Sequence, residues 1–270
     1  MSGMHRKGSG ALWRAGALAV GMCNPSMALE LMVEGTGDGM DIIQSLARAT
    51  VQSTPNDRIQ VPPSVGSGGG IAKVLEGGAE MARAARALSP AETQQGLSER
   101  IVFFIPVAFI VNRDTGISEL TSEALAKVFS GEVKNWREIG GNDLPIRVFT
   151  REPDDSSRQT LEKTLPGWQK ITLAPKRREI STTTQDLAAA VKYSPGAIGY
   201  APNSKWLGDT VRVIRVNGVG VESPHYPSAN VIRLVWREGR LSALGQRFLD
   251  FVKSREAAAI IKERGGRAAD

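Results

Sequence analysis

The run Leu29-Glu30-Leu31-Met32-Val33-Glu34-Gly35-Thr36-Gly37-Asp38-Gly39-Met40 decides the fold class. Leu29 to Val33 reads as a strand, and Gly35 to Gly39 breaks it. From Met40 to Val51 apolar residues return at helical spacing, so the segment is a strand, a glycine-rich turn and a helix. The unit recurs in kind. Arg58 to Val61 reads as a strand, Gly66-Ser67-Gly68-Gly69-Gly70 as a second glycine turn, and Ile71 to Leu75 as a helix that stops near Gly77-Gly78. Ile101 to Val111 is an apolar β-rich run, after which Ser122 caps a short helix, Glu123 to Phe129. Ile146 to Thr150 is a strand ending in a polar turn, Arg151 to Ser157, and Arg158 to Leu165 follows at helical spacing. Thr183 or Thr184 caps Gln185 to Lys192, and Gly196 to Tyr200 is a strand. Further strands lie near Val211 to Val216 and Val231 to Trp236, before two helices, Ser242 to Ser254 and Arg255 to Glu263. This alternation predicts an α/β fold with largely parallel sheets. In such sheets ligands bind where strand ends feed loops into helix starts, which puts all three polar turns at one candidate site.

At 270 residues the chain accommodates two lobes of roughly 100 to 120 residues. Its 41% hydrophobic and 23% charged residues match a folded, soluble body rather than a disordered or fibrous one. Cys23 stands alone and His5 and His225 sit at opposite ends, which excludes an internal disulfide and a Cys/His metal site. His5, Arg6 and Lys7 precede an apolar run, Ala15 to Cys23, and the small-x-small sequence Ser26-Met27-Ala28. Residues 1–28 therefore read as a secretory signal peptide and predict a periplasmic protein; a basic tail, or lipidation at Cys23, are the alternatives. Removing them takes away Arg6, Lys7 and Arg14 and no acid, so the formal charge falls from +6 to +3. Outside short clusters such as Lys176-Arg177-Arg178 no basic stripe remains, which argues against a nucleic-acid partner.

Glycine turns let the backbone approach a ligand, and the first N–H groups of the next helix lack intrahelical partners and carry the positive end of its dipole. Such turns bind anions. Thr36, Ser67, Ser156 and Ser157 add hydroxyl donors there, while Arg151 and Arg158 supply charge, so a small tetrahedral oxyanion is held without cofactor or metal. Other roles compete. Gly35-x-Gly37-x-Gly39 lacks the dinucleotide spacing, and Gly66 to Gly70 lacks the Lys-Ser/Thr of a phosphate-binding loop. Ser156 and Ser157 also suit helix capping, Arg158 a solvated face, Arg151 an ion pair with Glu152, Asp154 or Asp155, and Asp154 and Asp155 the helix dipole.

The order of these segments resembles the type II periplasmic solute-binding proteins, in particular the phosphate-binding proteins of ABC transporters. The residues that carry the resemblance are Gly35-Thr36-Gly37, Gly66 to Ile71, Leu120-Thr121 through Phe129-Ser130-Gly131 to Asn135-Trp136, Arg151-Glu152-Pro153 through Arg158, Gly196 to Tyr200, and Tyr226-Pro227. It implies a bilobal α/β protein, a monomer, with crossovers near Ile105-Pro106 and near Tyr200 to Pro202. Lobe 1 would then comprise residues 29–105 and 203–270, and lobe 2 residues 106–202. It further implies that Thr36, Gly37 and Ser67 bind phosphate from one lobe, and Arg151, Ser156, Ser157 and Arg158 from the other.

One departure stands out: where relatives carry aspartate in a Ser-Asp-Ala-Pro-Leu run, this chain reads Ala84-Ala85-Arg86-Ala87-Leu88. A carboxylate there accepts the proton of hydrogen phosphate and repels a fully ionised anion, so Ala85 removes a selectivity element. Arg86, which adds positive charge, and Gly68 are further candidates. Phosphate leads as ligand, with sulfate, molybdate or a small organic acid behind it, and an ABC permease or a membrane sensor as partner. A secreted hydrolase using Ser156 or Ser157 as nucleophile lacks a histidine base. A ligand-poor regulatory domain of the same fold is the other alternative.

Overall fold

The computed structural model describes residue 3 and residues 28–269, except 154, 174–177 and 182. The expected signal segment, apart from Gly3 and Ala28, lies outside the described residues, as do Asp154, Lys176 and Arg177.

Leu31 and Val33 are fully buried in β1 (Glu30–Gly35), and α1 (Met40–Thr50) lays Ile42, Ile43, Leu46 and Ala47 over the same core. β2 (Arg58–Gln60) pairs parallel with β1. The glycine cluster is itself the opening turn of α2 (Gly66–Glu76), rather than a loop before a helix beginning at Ile71. β3 (Met81–Ala84) is buried at all four positions and pairs parallel with β1. After α3 (Pro90–Gln94), β4 (Leu97–Val111) runs for 15 residues, roughly 50 Å.

Next come β5 (Glu119–Leu120), α4 (Ser122–Ser130), β6 (Arg147–Arg151), α5 (Ser156–Thr164), β7 (Arg178–Ser181) and α6 (Thr184–Tyr193). The cap of α4 is Thr121, whose hydroxyl accepts from the Ala124 N–H, and not Ser122. Thr183 caps α6. β8 (Ala197–Pro202), α7 (Lys205–Thr210), β9 (Arg212–Val213) and β10 (Arg215–Val216) lead to the long β11 (Ala229–Arg237). α8 (Ala243–Phe251), α9 (Arg255–Glu263) and β12 (Arg267–Ala268) complete the described chain.

Among the described residues the main sheet follows the order β2-β1-β3-β11-β4-β8-β6-β7, with β9 and β12 also on β4. The expectation of largely parallel sheets needs correcting, because β11 is antiparallel to both β3 and β4, and β4 is antiparallel to β8. Within the main sheet β2-β1-β3 and β7-β6-β8 keep the parallel strand-turn-helix grammar.

Core clusters divide the molecule. One contains Leu31, Val33, Phe103, Ile105, Ile232 and Phe248; another contains Val107, Phe109, Phe129, Trp136, Trp168 and Tyr200. The first passage between them lies between Ile105 and Val107. The second differs. At Asn203 the chain touches the junction, donating its N–H to Pro106 O at 2.8 Å, but Leu207, Val211, Ile214, Val216 and Tyr226 then bury themselves with residues 107–200. The return comes at Ser228, whose carbonyl accepts from Val107 N–H, so the division moves from residue 203 to about 228.

Candidate functional site

On the first lobe, β1 ends at Gly35, whose φ of 131° and distance of 2.0 Å from a built Cβ to Arg83 O admit only glycine. The turn beyond it is held from below. Thr36 N–H donates to Arg83 O at 3.0 Å, and the buried Arg83 side chain donates back to Thr36 O at 2.6 Å, to Pro62 O at 2.7 Å and to Val33 O. Thr36 Oγ1 accepts from Asp38 N–H at 3.3 Å, and Ser67 Oγ accepts from Ala85 N–H at 2.9 Å. Each hydroxyl keeps its own proton to donate. Gly70 lies against Gly35, where a built Cβ would come within 2.5 Å of Gly35 Cα, and Val65 N–H donates to Gly35 O. The first two polar turns are therefore one packed unit.

On the second lobe, Arg151 leaves β6 and pairs with Asp155 at 2.9 Å, both side chains largely buried. Its Nη1 donates to Thr184 Oγ1 at 3.1 Å and its N–H to the Tyr200 hydroxyl at 3.2 Å. Burial pushes Tyr200 up to about 12, against the pull of the Arg151 N–H. Asp155, not Ser156 or Ser157, caps α5, accepting from Arg158 N–H at 3.0 Å. This frees both serines from capping. The Arg158 side chain is engaged by Glu162 at 2.8 Å and by Arg151 O at 3.3 Å.

The two sides meet through residues that the sequence reading did not single out. Asn230, 2% exposed on β11, donates Nδ2 to Asp38 Oδ2 at 3.3 Å and to Ser156 Oγ and Ser157 Oγ at 3.4 and 3.5 Å. Asp38 also accepts a hydrogen bond from Ser156. Burial raises the Asp38 pKa; the Ser156 bond opposes this, the Asp155 charge adds to it and Arg151 opposes it. Asp38 was visible inside the quoted turn, and Asn230 as a polar residue opening an apolar strand at the return crossing.

Two weaker candidates stand apart. Arg86 is exposed and bonded to Glu92 at 2.7 and 2.9 Å, and Gly68 faces open space. Ala85 is half-buried against the first core, so no carboxylate stands at that position. Among the described residues no group of three His, Cys, Asp or Glu could hold a metal ion. A cavity of about 660 Å³, lined by Glu30, Val74, Glu80, Arg237 and Arg240, opens at the other end of β1.

The Thr36–Asp38 turn and the start of α5 thus meet at Asp38 and Asn230. The family model described as the PBP superfamily domain matches residues 24–256. The chain is 26% identical over 246 residues to the phosphate-binding protein PstS of Bacillus subtilis, covering 87% of this chain and 79% of that protein. It is 24% identical over 216 residues to the phosphate-binding protein PstS of Borreliella burgdorferi, covering 75% of each. A Clostridium perfringens structure, described as a phosphate ABC transporter substrate-binding protein with bound phosphate, has a TM-score of 0.74 and 26% identity. It covers 89% of this chain and 100% of that one. With a family match along most of its length, this chain belongs to the PBP superfamily.

Proposed function

We propose that this protein is the solute-binding component of an ABC-type phosphate uptake system, capturing inorganic phosphate between its lobes and delivering it to a membrane permease. The observation that carries this reading is the meeting of the Thr36–Asp38 turn with the start of α5 through Asn230. The relatives named for phosphate binding supply the ligand class. Thr36, Gly37 and Ser67 bind from the lobe of residues 29–106 and 229–269; Arg151, Ser156, Ser157 and Arg158 bind from the lobe of residues 107–228. Closing one lobe on the other completes the donor set.

The role is binding without catalysis. Ser156 and Ser157 face the Asn230 amide, His225 is exposed, and among the described residues no hydrogen bond joins a histidine to either serine. The export segment expected at residues 1–28 would deliver the protein to the periplasm, where it works as a monomer with no nucleic-acid partner.

Calorimetric titration of the full chain with phosphate tests the reading. One site per chain, with a melting temperature that climbs with phosphate concentration, is the expected outcome. No heat and no thermal shift at millimolar phosphate would overturn it.

A further inference from the structure

We propose that the cavity at the joint between the lobes is a second ligand site, one that takes a small carboxylate with an apolar body. This goes beyond the uptake reading and stands without it. The cavity measures about 500 Å³, a size that holds a small organic molecule. Val221 and Glu222 wall it from the lobe of residues 107–228, and Ala258, Lys262, Arg267 and Ala268 from the other. Val221 packs against the core around Phe109 and Ala268 against the core around Phe103, so the two walls belong to different cores.

Asn203, which also lines the cavity, ties it to the crossing. Its N–H donates to Pro106 O and its Nδ2 to Gly265 O, both at 2.8 Å. Gly265, at a φ of 88°, lies so close to Ser204 that a built Cβ would stand 2.9 Å from the Ser204 Cα. The turn from α9 to β12 is thereby seated on the joint itself. A ligand held here touches both lobes where they join and so binds one lobe arrangement better than another. It is then linked to phosphate, each changing the other's affinity by the same factor.

Charge picks the ligand class. Arg267 on β12 sets its guanidinium 5.3 Å from the centre of the Phe104 ring, and its Nε is buried with no hydrogen-bond partner among the described residues. Burial lowers its pKa. Among the described residues neither Arg267 nor Lys262 is engaged in an ion pair. A partly buried guanidinium with an idle donor gains from a planar carboxylate, whose two oxygens match its fork. Glu222 is the acid on this wall, and its carboxylate lies against Gly220, filling the space that a side chain there would take. Arg267 and Lys262 together outweigh it and favour an anion, while Val221, Ala258 and Ala268 favour hydrocarbon beside that charge. Phosphate lacks the apolar part, so this ligand differs in class from the one proposed for the cleft.

Calorimetric titration of the full chain with sodium benzoate tests this, beside sodium acetate, which lacks the apolar body, and benzamide, which lacks the charge. Wild type is expected to take one benzoate per chain, with acetate and benzamide on the order of tenfold weaker or more. Arg267→Gln is expected to weaken benzoate by about tenfold or more, and Glu222→Gln to strengthen it by about two- to threefold. Lost stability cannot produce a gain, so the opposed signs exclude a merely structural effect. Saturating phosphate should shift benzoate affinity by about fivefold or more. Absence of heat at millimolar benzoate overturns the proposal, as does benzamide binding equally well or an Arg267→Gln variant with wild-type affinity. An unchanged affinity in Glu222→Gln overturns the two-lobed wall, and equal benzoate affinity with and without bound phosphate overturns the linkage. Should Arg267→Gln fail to fold, Lys262→Gln, at an exposed position, decides in its place, and wild-type benzoate affinity there counts against the site. If benzoate binds and phosphate does not, the uptake reading falls and this site stands.

Discussion

Arg83 Nε donates to the carbonyl of Thr36 at 2.6 Å from a side chain with no exposed surface. Since the same guanidinium reaches Val33 O and Pro62 O, one buried cation fastens the end of β1, the turn after it and the loop before α2. Burial lowers its pKa, and the charge of Glu34 works the other way. Arg83→Met leaves carbonyls without donors where water cannot reach them. The variant should lose about 3 kcal/mol or more in urea unfolding and bind phosphate more weakly. A loss under about 1 kcal/mol would show that the turns hold themselves.

Two glycines of one helix turn should behave oppositely. A methyl at Gly70 meets backbone at Gly35, so Gly70→Ala must push α2 away from β1 and is expected to cost about 1–3 kcal/mol and loosen phosphate binding. A methyl at Gly68 meets open space, so Gly68→Ala is expected to gain roughly 0.5–1 kcal/mol from reduced backbone freedom. Thermal melts of the two variants, with and without phosphate, read both.

Alkaline pH should unfold the second lobe through its tyrosines. Burial raises Tyr200 to about 12 and moves Tyr226 upward too, while an unfolded tyrosine ionises near 10. Above pH 10 the folded state keeps protons that the unfolded state releases, so stability falls as pH rises. Absorbance at 295 nm should show the ionisation of these two residues arriving together with unfolding, and Tyr200→Phe should shrink that step. Full ionisation in a still-folded protein at pH 10 would contradict it.

Arg86 and Glu92 form a pair at the α3 cap, and the arginine side chain holds Glu92 down to about 2. The contribution is present above pH 4.5 and disappears as pH falls toward 2. With Arg86 substantially exposed, it amounts to less than about 1 kcal/mol. Arg86→Ala should therefore lose that small increment in acid-titrated melts and leave phosphate affinity within about threefold. A larger loss of affinity would draw Arg86 into the binding site after all.

Hydrophobic spacing made most helices and strands legible, because Ile42, Ile43 and Leu46, or the run to Val111, bury one face or all of it. β3 was not legible. Met81-Ala82-Arg83-Ala84 contains no β-branched residue, and it is a strand because β1 and β11 flank it. The sheet direction escaped for the same reason, since β11 is inserted from more than 100 residues away. At the site, donors at helix starts could be read locally, whereas the encounter of Asp38 with Asn230 spans 192 residues and needed the folded chain. The return crossing was misjudged because β8 reaches the junction and then turns back, an excursion for which local pattern carries no signal.

The position of β11 also sets the order in which the protein can assemble. Its residues, 229–237, lie between β3 and β4, so the N-terminal half-sheet has a gap at its centre until nearly the whole chain has been synthesised. β3 has β1 and β4 has β8 on one side, but each waits for β11 on the other, and closing so long a loop makes that pairing slow. The half-sheet built from the N-terminal strands thus stays divided for most of the chain's synthesis, and residues 229–237 are what finally join its two edges.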